Sequence, residues 1–127
     1  MLKDFRDLEV WQKSKDIVVC IYKITDGFPR KEMFGLTDQL RRASNSVCAN
    51  IAEGFSRFHS KDKIKFYYNA RGSVSECMSH VVIAKELGYI SEPCSHDLLP
   101  RFESVKMMIN RLIASVASCE SSRRKKP

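Results

Sequence analysis

The feature that most restricts this chain is the spacing of its apolar and small residues between positions 36 and 58. Leu36, Leu40, Ala43, Val47, Ile51, Gly54 and Phe58 follow one another at steps of 4, 3, 4, 4, 3 and 4. Those steps place all of them on one face of an α-helix. The rhythm returns in Phe66, Ala70, Ser73, Cys77, Val81, Ala84 and Leu87, and again in Leu98, Phe102, Val105, Ile109, Leu112, Val116 and Cys119. No segment alternates with the period of two that a half-buried strand requires.

An earlier helix carries a stripe of Leu8, Trp11, Lys15, Val18, Val19 and Tyr22, with Ile17, Ile21 and Ile24 on its opposite side. Asp26-Gly27-Phe28-Pro29 stops it, Gly27 suiting the left-handed position after a helix and Pro29 being unable to continue one. The second helix is expected from about Glu32 to Phe58. His59-Ser60 breaks the chain, with Ser60 as N-cap of the third helix, which Gly88 ends. Ser91 and Pro93 mark the start of the fourth. Pro100 signals a kink, or else the true start of that helix, because an interior proline costs about 3 kcal/mol. Short connections between four helices predict an all-α, up-down-up-down antiparallel bundle.

A chain of 127 residues suits one domain. We place the bundle at residues 1–119 and a basic flexible tail at 120–127. The longest apolar run, Ile17 to Tyr22, is too short to span a bilayer, and the N-terminus lacks the apolar core of a signal peptide. A cytoplasmic protein with no membrane association is expected. Cys20, Cys48, Cys77, Cys94 and Cys119 are scattered and odd in number, with no CxxC, which reads as reduced thiols rather than a disulfide framework or zinc knuckle. The net charge is +7, but the tail SSRRKKP holds four cations, leaving 18 against 15 acids elsewhere, a net of +3.

Signs of catalysis are sparse. Ser60 and Lys63 fit S-x-x-K without its companion motifs, and no strand exists to present a glycine-rich phosphate loop. Glu76, Cys77 and His80 can share a helical face as metal ligands. Bundle metal sites draw ligands from several helices, and no second set appears, which favours an ordinary interface histidine. His59 and His96 have no acidic or nucleophilic partner close in sequence. The expectation is a protein with no catalytic residues, no cofactor and no metal.

The second helix is unusual for its polar residues. With Leu36, Leu40, Val47 and Gly54 inward, Arg42, Ser46, Asn50, Glu53 and Arg57 line one flank, and Arg41, Asn45, Cys48, Ala52 and Phe55 line the far side. Cys48, Ala52 and Phe55 are too apolar for open solvent. Together with Ile17, Ile21 and Ile24 they predict a second buried surface and hence a homo-oligomer. Asn50, beside the core stripe, needs a hydrogen bond there, and Glu53 can pair with Arg57 one turn on.

The segment SRFHSKDKIKFYYNAR places five Lys or Arg among Phe58, Phe66, Tyr67 and Tyr68. Arg41, Arg42, Arg57, Lys61, Lys63, Lys65 and Arg71 form a candidate phosphate-contacting surface with stacking rings nearby. For any single residue a solvated helix face is the simpler explanation; clustering on a symmetric oligomer favours anion binding. No helix-turn-helix, zinc-finger or RNA-recognition signature promises base readout.

DLEVWQKSKDIVVCIYKITDGFP, EMFGLTDQLRRASNSVCANIAEGFSR, FYYNARGSVSEC and AKELGYIS, in that order, resemble the ribosomal-protein-like family of four-helix bundles encoded in intervening sequences of bacterial 23S rRNA genes. The likeness spans roughly residues 5 to 118 by the segmentation above. FP-x-x-E, QLRRA and NIAEG are its most specific elements. The chain is also similar to the accessory variability protein of diversity-generating retroelements, which acts with a reverse transcriptase and template RNA. These resemblances imply a ring-like homopentamer that binds nucleic acid and catalyses nothing, with Gln39, Arg41, Arg42, Asn50, Glu53 and Gly54 as the signature polar set. The expected function is a homo-oligomeric scaffold that favours RNA over DNA. An adaptor for a protein partner, such as a reverse transcriptase, is the alternative.

Overall fold

The computed structural model describes residues 2–124 and contains four α-helices: α1 (Glu9–Thr25), α2 (Leu36–Ser56), α3 (Ser60–Glu86) and α4 (Glu92–Arg124). Short 3-10 turns at Phe5–Asp7 and Arg30–Glu32 precede α1 and α2. Each helix packs on its two neighbours in the cycle α1–α2–α3–α4, and among the described residues no close backbone approach crosses the diagonal. That adjacency, with tight connections at 57–59 and 87–91, is the up-down-up-down bundle.

The α2 stripe faces inward as the spacing predicts. Leu36, Leu40, Ala43, Val47, Ile51 and Gly54 are all buried. Its last member is not: α2 ends at Ser56, and Phe58, in the extended connection beyond, is 85% exposed. In α3 the core residues are Tyr67, Ala70, Val74, Cys77, Val81 and Ala84, so Tyr67 and Val74 replace the expected Phe66 and Ser73. Leu87 lies past the helix and is exposed. In α4, Leu98, Phe102, Val105 and Ile109 are buried, whereas Leu112 and Val116 are half-buried and Cys119 is exposed, because α4 outruns the helices it packs against.

The orientation of α1 overturns one expectation. Val10, Ser14, Ile17, Ile21 and Thr25 face the core, with Ile17 and Ile21 almost fully buried and Ile24 packed at the core's edge. These isoleucines therefore hold the bundle together instead of forming an outer patch, and Val19 and Tyr22 are the exposed residues. The face was hard to assign because two of its members are polar. Ser14 Oγ donates to the Val10 carbonyl and Thr25 Oγ1 to the Ile21 carbonyl, both at 2.7 Å, which satisfies the hydroxyls within the helix and lets them be buried.

The helix ends carry the remaining corrections. Gly27 is not in the left-handed region, and α1 closes with its N–H donating to the Ile24 carbonyl. Gly88, at φ +79, is the glycine that needs that region. Gly88 N–H donates to Lys85 and Tyr89 N–H to Ala84, the paired bonds of a Schellman stop. Helix α2 begins at Leu36, later than expected, because the Glu32 side chain accepts from Leu36 N–H and caps the helix from outside it. His59 occupies the N-cap of α3 and makes no side-chain cap bond. Ser91 Oγ accepts from Cys94 N–H at the start of α4, and Pro100 lies inside that helix. Helix α4 continues through Arg124, past the domain end placed at 119; residues 125–127 lie outside the described residues.

Candidate nucleic-acid interface

The seven cations divide by what they touch. Arg41 is turned onto α1: its Nε donates to Thr25 Oγ1 at 2.8 Å, its Nη2 donates to Asp26 Oδ1 at 3.0 Å, and the guanidinium lies 4.6 Å from the Tyr22 ring centre. Asn45 donates to the Tyr22 hydroxyl one turn on. This side of α2 is thus an intramolecular joint with α1. Lys63 is also committed: its ammonium donates to the carbonyls of Phe55 at 2.7 Å and Gly54 at 3.3 Å, closing the end of α2. Burial lowers its pKa.

The others face outward. Arg42 is exposed and pairs with Asp38 on its own helix. Arg57 pairs with Glu53 at 2.7 Å, as the spacing predicts, and lies 4.8 Å from the Phe66 ring. Arg71 donates to Asn110 Oδ1 on α4 and covers the half-exposed ring of Tyr68. Lys61 and Lys65 are exposed, lie one turn apart on α3, and have no hydrogen-bond or ion-pair partner among the described residues.

The uncharged members, Gln39 excepted, make their contacts within the subunit. Asn50 Nδ2 donates to the Ser46 carbonyl and hydroxyl, and Ser73 Oγ on α3 donates to that same hydroxyl at 2.9 Å. Sequence reasoning noticed Asn50 but missed the serine pair, whose only signal is two small polar residues at core-flanking positions. Gly54 is buried where α2 meets α3, with Tyr67 and Phe66 against it. Ala52 is half-buried, as is Cys48, whose thiol burial pushes up to about 11. Phe55 packs at the edge of the core. Gln39 is exposed, and its side chain makes no hydrogen bond among the described residues.

The candidate metal set comes apart on the helix. His80 Nε2 and Glu76 Oε2 lie 3.3 Å apart, but Cys77 points into the core, where burial raises its thiol to about 12. No cluster of three metal-ligating side chains occurs among the described residues.

The residue pattern of the family described as 23S rRNA-intervening sequence protein matches residues 6–111. The chain belongs to this family. A crystal structure of a protein with unknown function from the S23 ribosomal protein family of Bacteroides thetaiotaomicron VPI-5482 superposes with a TM-score of 0.76 at 19% identity, covering 83% of this chain and 95% of that one. At that identity the likeness establishes a shared fold. No curated protein matches the chain. Neither match bears on the likeness to the retroelement accessory protein. No helix among the described residues is long and apolar enough to cross a membrane.

Proposed function

We propose that this protein is a non-enzymatic, homo-oligomeric RNA-binding scaffold that grips backbone phosphates through Arg42, Arg57, Lys61, Lys65 and Arg71. The observation that carries this reading is the free, exposed pair Lys61 and Lys65 at the α2–α3 corner, beside Arg57 and the Tyr68–Arg71 stack. An unpaired lysine has no competing carboxylate to displace when a phosphate arrives, and binding releases counterions from the nucleic acid. Arg41 and Lys63 are left out because each is part-buried and ties one element to another, Arg41 to Thr25 and Asp26 and Lys63 to the end of α2, whereas Arg42 and Arg57 are exposed and pair with a carboxylate one turn away. Assembly is supported by a groove that Met78, Leu99, Pro100 and exposed Met107 line together with Glu103 and Ser104, and by exposed Val82 one turn from Met78 on α3. The homopentamer is the state implied by the family resemblance, and equilibrium sedimentation tests it.

The binding test is fluorescence anisotropy of nuclease-treated protein with single-stranded RNA, structured RNA and duplex DNA at two salt concentrations. Lys61→Ala with Lys65→Ala should weaken RNA binding and reduce the log-log salt slope by about 1.4. An unaltered slope at unaltered assembly mass rejects these contacts. The Met78–Leu99–Met107 groove also favours a second reading, an adaptor for a protein partner such as a reverse transcriptase. Partner capture that persists after nuclease treatment supports it.

A further inference from the structure

The α2–α3 corner carries an aromatic ring with no place in the core. Phe58 sits between Arg57 and His59, both with extended backbone, at φ −73, ψ 146 and φ −83, ψ 138. The extended path lifts the ring off the end of the bundle, where its one ring contact among the described residues is a T-shaped one with His59, ring centres 5.1 Å apart. Phe34, at the opposite end, is as exposed, but its surroundings differ in charge. Residues 30–38 hold two cations and two carboxylates, whereas residues 57–65 hold four cations and one carboxylate. The field around Phe58 therefore favours a polyanion, and the field around Phe34 does not.

From Phe58 a row continues along the outer face of α3 through Lys61, Lys65 and Tyr68. Ser60 to Tyr68 spans roughly 12 Å at the helical rise. A groove of about 550 Å³ opens beside this row, lined by His59, Ser60, Lys61 and Ile64 on one side and by Ala117, Glu120 and Ser121 of α4 on the other, so that it holds one carboxylate as well as the lysine. We propose that Phe58 is a stacking platform for an unpaired RNA base, with Lys61 and Lys65 on the neighbouring phosphates and Tyr68, backed by Arg71, as a second stacking surface. The inference rests on the RNA-binding reading and narrows it to single-stranded segments. A ring standing clear of the surface stacks on a base through the base's face, and in a duplex those faces are already stacked.

The test uses the full chain with single-stranded RNA carrying 2-aminopurine, the matching RNA duplex, and single-stranded DNA of the same sequence. Affinity should be highest for single-stranded RNA, and binding should quench the probe. Phe58→Ala should weaken that binding about 10-fold or more and abolish the quenching, while Phe58→Trp retains both. Full affinity and quenching in Phe58→Ala, with Lys61→Ala and Lys65→Ala still weakened, overturns the platform and leaves the RNA-binding reading standing. Absence of binding by the unaltered protein at low salt removes both. Equal affinity for the DNA strand overturns the RNA assignment, and a fall in assembly mass for Phe58→Ala reassigns the ring to a subunit contact.

Discussion

Gly54 lies so close to Tyr67 that a Cβ at position 54 would stand 2.6 Å from the Tyr67 Cε1 and 2.8 Å from its Cδ1. The absence of a side chain there sets how closely α2 approaches α3. Gly54→Ala should destabilise the fold by about 1–3 kcal/mol, because Tyr67 is almost fully buried and the ring has little freedom to move. Urea unfolding measures it. A variant as stable as the parent would mean that the two helices separate freely at this point.

The two neighbouring arginines of α2 should behave differently. Arg41 bridges to Thr25 and Asp26 on the α1 side, and Arg41→Ala should cost about 1–3 kcal/mol. Arg42 forms an exposed pair within one helix, so Arg42→Ala should change stability by less than about 0.5 kcal/mol. Equal losses in thermal melts of the two variants would contradict the joint described for Arg41.

Glu32 ties the start of α2 to the α3–α4 connection. It accepts from Leu36 N–H at 3.1 Å and from the Tyr89 hydroxyl at 3.0 Å, and these bonds, the backbone one foremost, hold its carboxyl below the usual glutamate range. A depressed folded pKa stabilises the protein above the unfolded value of about 4.3, and that contribution is lost as pH falls through the folded value. Glu32→Gln should therefore lose less stability than the parent between about pH 5 and pH 3. Parallel acid-unfolding curves would remove Glu32 from the transition. The bond that Tyr89 donates to Glu32 raises the phenol's own pKa, so its contribution is present at neutral pH and fades only as alkaline pH passes its folded value.

The thiols should react in order of exposure. Cys119 is exposed, whereas burial holds Cys48 near 11 and Cys77 near 12, leaving little thiolate at neutral pH. Peptide mapping after brief alkylation should find Cys119 modified first and Cys77 only after unfolding. Early labelling of Cys77 would show that the core opens on the timescale of the reagent.

Gly72 lies inside α3, and a Cβ there would meet nothing within 4 Å. Gly72→Ala should stabilise the helix by about 0.5–1 kcal/mol, read as a higher melting temperature. A lower melting temperature would place another surface, such as a second subunit, against this position.

Periodicity alone was enough for the number and order of helices, the inward face of α2 and the Glu53–Arg57 pair, because 3.6-residue spacing acts within one element. It failed where neighbours decide. Ile17 and Ile21 belong to the core because Ser14 and Thr25 hide their hydroxyls against their own helix, so a polar residue there is no sign of an outer face. Likewise, a basic residue in the sequence does not reveal whether it is free: Arg41 and Lys63 are consumed by α1 and by the end of α2, while Lys61 and Lys65 remain open. Phe58 continued the α2 rhythm in sequence and left the core only because the helix ends at Ser56. The amino-acid order by itself determined a basic four-helix chain of this family, since composition and spacing are local properties. Which cations and rings face solvent was decided by the tertiary structure, because a side chain's availability depends on the acceptors that other helices bring to it.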